Sequence, residues 1–143
     1  MEPLYHDLAA ELVSLNTQIF QIPAKQYLSQ LTKGERFVLF YLLTHHSTAH
    51  PRDLSQNMLV STARIAALLG RMEEKQLITR SQDPRDNRQV IVTLLPRGKK
   101  VIQQIRVTAI QSVARMLESL GPEDAAEYLR LQRKILANAV REN

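Results

Sequence analysis

The chain has 143 residues, of which 44% are hydrophobic and 23% charged, a composition that suits one domain with a real core rather than a disordered segment. It contains no cysteine, which excludes a disulfide scaffold, a cysteine-ligated zinc or iron–sulfur centre and a thiol nucleophile. The net charge of +5 is uneven: residues 61–115 hold eleven basic and four acidic side chains, net +7, between two flanks that are each net −1.

With 4 glycines and 6 prolines, the chain has few breakers and is expected to be mainly α-helical. Apolar residues at Leu4, Leu8, Leu12, Leu15, Ile19 and Ile22 recur every three or four positions, predicting a helix that Pro3 starts and Pro23 stops. Its single stripe suits an arm packed either on its own domain or on another subunit. Thr32-Lys33-Gly34-Glu35 opens a second helix, apolar on nearly every side from Phe37 to Leu43 and closed by His45-His46-Ser47-Thr48. Pro51 starts a short helix with Leu54 and Met58 inward, and Ser61 caps a further helix whose inner face is Ile65, Leu68, Leu69 and Met72. Residues 77–81 and 89–95 are β-branched-rich runs around a turn at Asp83-Pro84-Arg85-Asp86-Asn87, predicting a two-stranded ribbon. Pro96 begins a long helix, Gly121-Pro122 breaks it sharply, and a last helix carries Tyr128, Leu129, Ile135, Leu136 and Val140. No apolar run approaches the roughly 18 residues needed to span a bilayer, and the N-terminus lacks a signal-peptide pattern, so a soluble, cytoplasmic protein without membrane contact is expected.

Residues 51–70 fit a helix-turn-helix. Ser55 supplies the small side chain that two steeply crossing helices need, and Leu54, Met58, Val60, Ile65 and Leu68 supply the apolar corner. Leu59 stands where the turn often has glycine, which implies a slightly wider turn. The outward face of helix 61–76 reads Ser61, Thr62, Ala63, Ala66, Ala67 and Gly70, bordered by Arg64 and Arg71. Small residues beside cations suit a helix lying deep in a DNA major groove, with the arginines on phosphates. In the ribbon, Arg80, Asp83, Arg85, Asp86 and Arg88 form a candidate wing over residues 80–90 that suits a minor groove; Asp86 is expected to orient one guanidinium through a bidentate bond.

Two segments carry a family resemblance. Met72-Glu73-Glu74-Lys75-Gln76-Leu77-Ile78-Thr79-Arg80 resembles the motif Leu-Glu-x-x-Gly-Leu-Ile-x-Arg, and Asp83 to Arg88 matches Asp-Pro-Arg-Asp-x-Arg. With Gly98 and the long helix that follows, the chain resembles the MarR family of winged helix-turn-helix transcriptional regulators. Gln76 replaces the usual glycine, so a left-handed residue or a different helix end is expected there. Leu95-Pro96 alters the start of the long helix, and Ala67 stands where many members carry a larger polar side chain. The resemblance implies an N-terminal dimerisation helix (1–31), a winged domain (32–97) and C-terminal dimerisation helices (98–143). It implies a homodimer on a palindromic site in double-stranded DNA, acting as a repressor that a small-molecule inducer releases from between the dimerisation helices and the winged domain. Phe37, Phe40 and Tyr41 are candidate pocket-lining residues, although an all-round apolar helix is more often plain core.

Two other readings are open. The basic strip would serve equally for a winged helix that docks an acidic protein. His45, His46 and His50, with Asp53 or Glu35, invite a metal-sensing reading, although histidines at a helix end more often cap carbonyls; no metal or cofactor is otherwise implied. No phosphate loop, nucleophile motif or carboxylate pair points to an enzyme.

Overall fold

The computed structural model describes residues 2–142. In chain order it contains α1 (Pro3–Ile19), α2 (Pro23–Gln30), α3 (Gly34–Thr44), β1 (Thr48–Ala49), α4 (Pro51–Met58), α5 (Thr62–Glu74), β2 (Ile78–Asp83), β3 (Asp86–Leu94), α6 (Pro96–Leu120) and α7 (Pro122–Arg141). The chain is mainly helical with one small antiparallel sheet.

Five prolines set helix starts. Pro3, Pro51, Pro96 and Pro122 each stand at the first helical position, where the missing N–H costs nothing and the fixed φ is already helical. Pro23 does the same for α2, an element that the periodicity did not reveal. It was expected only to stop the first helix. The apolar stripe runs on through Ile22, which hides the break, and α2 is short.

The sheet also differs from the expected two-stranded ribbon. It has three strands in the order β1-β3-β2, with Thr48 opposite Thr93 and Ala49 opposite Val92. The chain reaches β1 because His46 and Ser47 adopt left-handed φ values of 59° and 67°, turning the end of α3 back against the sheet. Ser47 N–H then bonds to Leu42 O at 2.8 Å, and Leu94 N–H to Ser47 O at 2.9 Å. No propensity signal reveals a two-residue strand made by two polar residues in such a conformation.

The core lies under the winged domain. Val38, Leu39 and Leu42 of α3 pack with Leu54, Ile65, Leu69, Met72, Ile78, Val92 and Ile102 into one buried cluster. Phe37, Phe40, Tyr41 and Leu43 are half-buried, so α3 is covered on nearly every side, as its composition predicts. Gly98 is buried in the first turn of α6, and a methyl group there would run into the Leu77 carbonyl oxygen and Leu94. That close approach is why the position takes glycine.

The flanks are different. Neither α1 nor α7 buries a single residue. Leu4, Leu8, Leu12 and Leu15 on α1 and Leu129, Ile135, Leu136 and Val140 on α7 stand in solvent, with Leu12 56% and Leu136 67% exposed. Among the described residues no helix is long and apolar enough to cross a membrane.

Candidate nucleic-acid interface

The helix-turn-helix is built as α4, a turn at Leu59-Val60, and α5. Leu54 and Ser55 are buried at the crossing, where the Ser55 hydroxyl donates to Arg52 O at 3.0 Å and so hides its polarity within its own helix. The turn is not widened. Leu59 itself takes the left-handed conformation (φ 55°, ψ 41°) and the Val60 N–H closes on Ser55 O at 3.2 Å. The same tight geometry that glycine usually provides is reached with a leucine whose side chain points into water, at the strain a non-glycine residue bears there.

Ser61 caps α5, its hydroxyl accepting the Arg64 N–H at 3.2 Å. Ile65, Leu69 and Met72 are buried beneath the helix, which leaves Ser61, Thr62, Ala63, Arg64, Ala66, Ala67 and Arg71 exposed on the far side. Gly70 is half-buried, and the Arg80 guanidinium lies over it, 3.8 Å from where a Cβ would stand. At the other end of α5, Gln76 adopts φ 62°, with Gln76 N–H to Glu73 O at 2.9 Å and Leu77 N–H to Met72 O at 3.1 Å. This is the left-handed helix end expected in place of glycine, and it aims the chain into β2.

The strands of the wing run closer to its tip than the expected 77–81 and 89–95. The ladder runs from Ile78 opposite Leu94 to Gln82 opposite Val90, then slips so that Asp83 faces Asp86 across the two residues Pro84 and Arg85. Residues 87–89 are the excess on β3. Val90 is exposed and, with Pro51, Ala66, Leu69, Arg80 and Gln82, lines a cleft of about 420 Å³ between α5 and the wing.

The five candidate wing residues do three different things. Arg85 and Arg88 project from the tip, the Arg88 side chain being 91% exposed. Asp86 meets Arg88 through one oxygen, which accepts both its backbone N–H at 3.1 Å and its Nε–H at 3.2 Å. The expected bidentate pair is therefore not formed; the carboxylate is turned to close the local turn. Asp83 is buried rather than presented to a ligand, accepting from Arg85 N–H at 2.9 Å and from His50 Nε2 at 2.7 Å. These two bonds, the His50 contact first, hold its carboxyl below the usual aspartate range. Arg80 sits at the base of the wing, its N–H donating to Glu73 at 2.8 Å and its Nη2 3.4 Å from the same carboxylate. Those bonds, the backbone one first, lower the Glu73 carboxyl in turn.

Among the described residues no carboxylate pairs with the guanidinium of Arg64, Arg71 or Arg85. Lys33 joins two of them. It lines, with Gly34, Arg64, Leu68 and Arg71, a cleft of about 380 Å³ between the start of α3 and α5. Sequence reasoning missed Lys33, because 31 positions separate it from Arg64 and only the fold brings them to one cleft.

The histidines do not come together as a ligand set. His45 stacks on Tyr41 with ring centroids 3.8 Å apart, and its Nδ1 meets the Tyr41 carbonyl at 2.7 Å. His50 is engaged with Asp83, and among the described residues no group of three or more His, Cys, Asp or Glu is placed to hold a metal ion. Of the aromatic residues on α3, Phe40 lines a cleft of about 320 Å³ with Leu28, Leu31, Ile110, Val113 and, at one side, Arg106. Phe37 and Tyr41 pair with each other instead, centroids 5.9 Å apart.

A three-helix core, a helix-turn-helix and a hairpin with two arginines at its tip define a winged helix-turn-helix protein. Comparison with known proteins narrows this. Residues 32–90 match the MarR family. The chain is 30% identical to the transcriptional repressor NicR of Pseudomonas putida over 121 residues, 85% of this chain and 75% of NicR. It is 32% identical over 76 residues to the helix-turn-helix regulator YsmB of Bacillus subtilis, a match spanning 53% of this chain and about half of YsmB, 52%. Among solved structures, a MarR family protein from Bacillus stearothermophilus superposes with a TM-score of 0.77 at 20% identity, covering 98% of this chain and 99% of that one. The chain belongs to the MarR family. These relatives are transcriptional regulators, not enzymes.

Proposed function

We propose that the protein is a homodimeric, sequence-specific transcriptional repressor that reads a palindromic operator, with helix 61–76 in the major groove and wing 80–90 in the minor groove. The observation that carries this reading is the placement of exposed cations. Arg64 and Arg71 border the small-residue face of α5, and Arg85 and Arg88 tip the adjacent wing. Small side chains let a helix approach base edges closely, while arginines at its rim suit phosphates. A narrow minor groove concentrates negative potential, which suits the wing-tip arginines.

Dimerisation follows from the unburied faces of α1 and α7. Apolar stripes of that length in solvent mark an interface, and a second copy of the same helices is self-complementary across a two-fold axis. Two winged domains so related meet half-sites about one helical turn apart. Its site of action is then the cytoplasm, where the DNA lies. The relation to NicR supports the repressor sense. The cleft beside Phe40, Leu28 and Ile110 lies between the α2–α3 region and α6, and is the place for a small apolar or aromatic inducer. An inducer bound there alters the spacing of the two α5 helices and so couples to DNA.

Selection of bound duplexes from a random-sequence pool tests this reading. Enrichment of an inverted repeat is the expected result. Enrichment of no sequence, or of an unsymmetrical single site, contradicts it.

A further inference from the structure

His50 has a place in the fold that neither metal binding nor base contact explains. It stands just before α4, and its imidazole bonds one carboxylate and lies near a second. Nε2 lies 2.7 Å from Asp83 Oδ2, and Nδ1 lies 3.6 Å from Asp53 Oδ2. Asp53 also accepts the His50 backbone N–H at 3.2 Å. An ionised carboxylate can only accept, so Nε2 carries the proton in the contact with Asp83. Arg52, Gln56 and Gln89 line the same groove, about 550 Å³, between the start of α4 and the wing.

Asp83 is the last residue of β2 and is only 7% exposed. Its other oxygen accepts the Arg85 N–H at 2.9 Å, so one carboxylate fixes the turn on one side and meets the helix-turn-helix on the other. The sheet does not set the tip by itself, because the ladder slips between Gln82 and Asp83. A two-stranded ribbon with a slipped end is a weak lever. The contact with His50, 33 residues away in sequence, ties it to α4.

We propose that His50 is a positioning residue for the wing: through Asp83 it holds the turn carrying Arg85 in a fixed place relative to α5, so that wing and recognition helix meet one duplex together. This rests on the DNA-binding reading above. It predicts coupling between two residues that do not touch.

The test is a double-mutant cycle on the dimer, read as affinity for a duplex carrying the selected site. Arg85→Ala alone is expected to weaken binding about five- to 150-fold. His50→Ala alone is expected to weaken it about three- to tenfold, and the double variant to bind within about twofold of Arg85→Ala. His50→Gln, whose amide N–H reaches about as far as Nε2–H, restores affinity to within about twofold of the parent. A merely structural role would leave the His50 and Arg85 penalties to multiply.

Penalties that multiply, or a glutamine variant as weak as the alanine one, overturn the proposal and leave the DNA reading intact. An Arg85→Ala variant that binds like the parent removes the wing reading and this proposal with it. Should His50→Ala fail to fold, Asp83→Asn, which keeps the side-chain volume, takes its place in the cycle under the same criterion.

Discussion

Arg85 and Arg88 illustrate how neighbours decide what a charged side chain can do. Both are exposed at the wing tip, but Arg88 shares Asp86 whereas Arg85 has no carboxylate partner among the described residues. Arg85→Ala and Arg88→Ala are each expected to weaken DNA binding by about 1–3 kcal/mol without unfolding the protein. Fluorescence anisotropy with a labelled duplex checks this, and unchanged affinity in both variants contradicts the wing's role. Arg64→Ala is expected to weaken binding to all duplexes alike, since it borders the helix where the proposed reading puts phosphates; a loss confined to one base position contradicts that. Asp83 carries a pH consequence. Its carboxyl is held below the usual range by His50 and the Arg85 N–H, so it binds protons less readily when folded than when unfolded. Its contribution to stability is therefore full above the unfolded-state pKa and is lost as pH falls through the lower folded value. Urea unfolding of the parent and Asp83→Asn from neutral to acid pH should show a difference that shrinks on acidification. A difference that grows contradicts the assignment.

At the level of elements, α5 and the wing were legible because their signals are local. Ser61 caps, Ile65, Leu69 and Met72 recur at helical spacing, and Asp83 to Arg88 is a compact turn motif. What escaped was set by contacts distant in sequence or by single left-handed residues. Pro23 starts a helix rather than ending one, β1 exists only because His46 and Ser47 turn left-handed, and only the fold brings Lys33 to one cleft with Arg64. The burial of Asp83 was equally invisible, because its partner His50 lies on another element. Two element-scale predictions follow from backbone geometry. Gln76 is exposed at φ 62°, so Gln76→Gly is expected to raise stability by up to about 1 kcal/mol as the left-handed strain is relieved. Gly98→Ala should lower stability by about 1–3 kcal/mol, because a methyl group meets the Leu77 carbonyl. Denaturant midpoints for the two variants shifting in the same direction would contradict this account of the helix ends.

For the molecule as a whole, the modest net charge of +5 conceals a basic middle between near-neutral flanks. That middle contains α5, the wing and the start of α6, while the flanks carry the striped helices α1 and α7. If those helices pair as proposed, a duplex would meet two such strips and so a stronger field than the net charge suggests. A monomeric mass in solution at micromolar concentration would contradict the dimer. The proposal that this surface reads DNA is tested most directly by a salt titration of affinity for the selected duplex beside a scrambled one. Log affinity should fall linearly with log salt, by about 0.9 per phosphate neutralised, with the selected duplex bound about 10³-fold or more tightly. A flat salt dependence, or equal affinity for both duplexes, would contradict it.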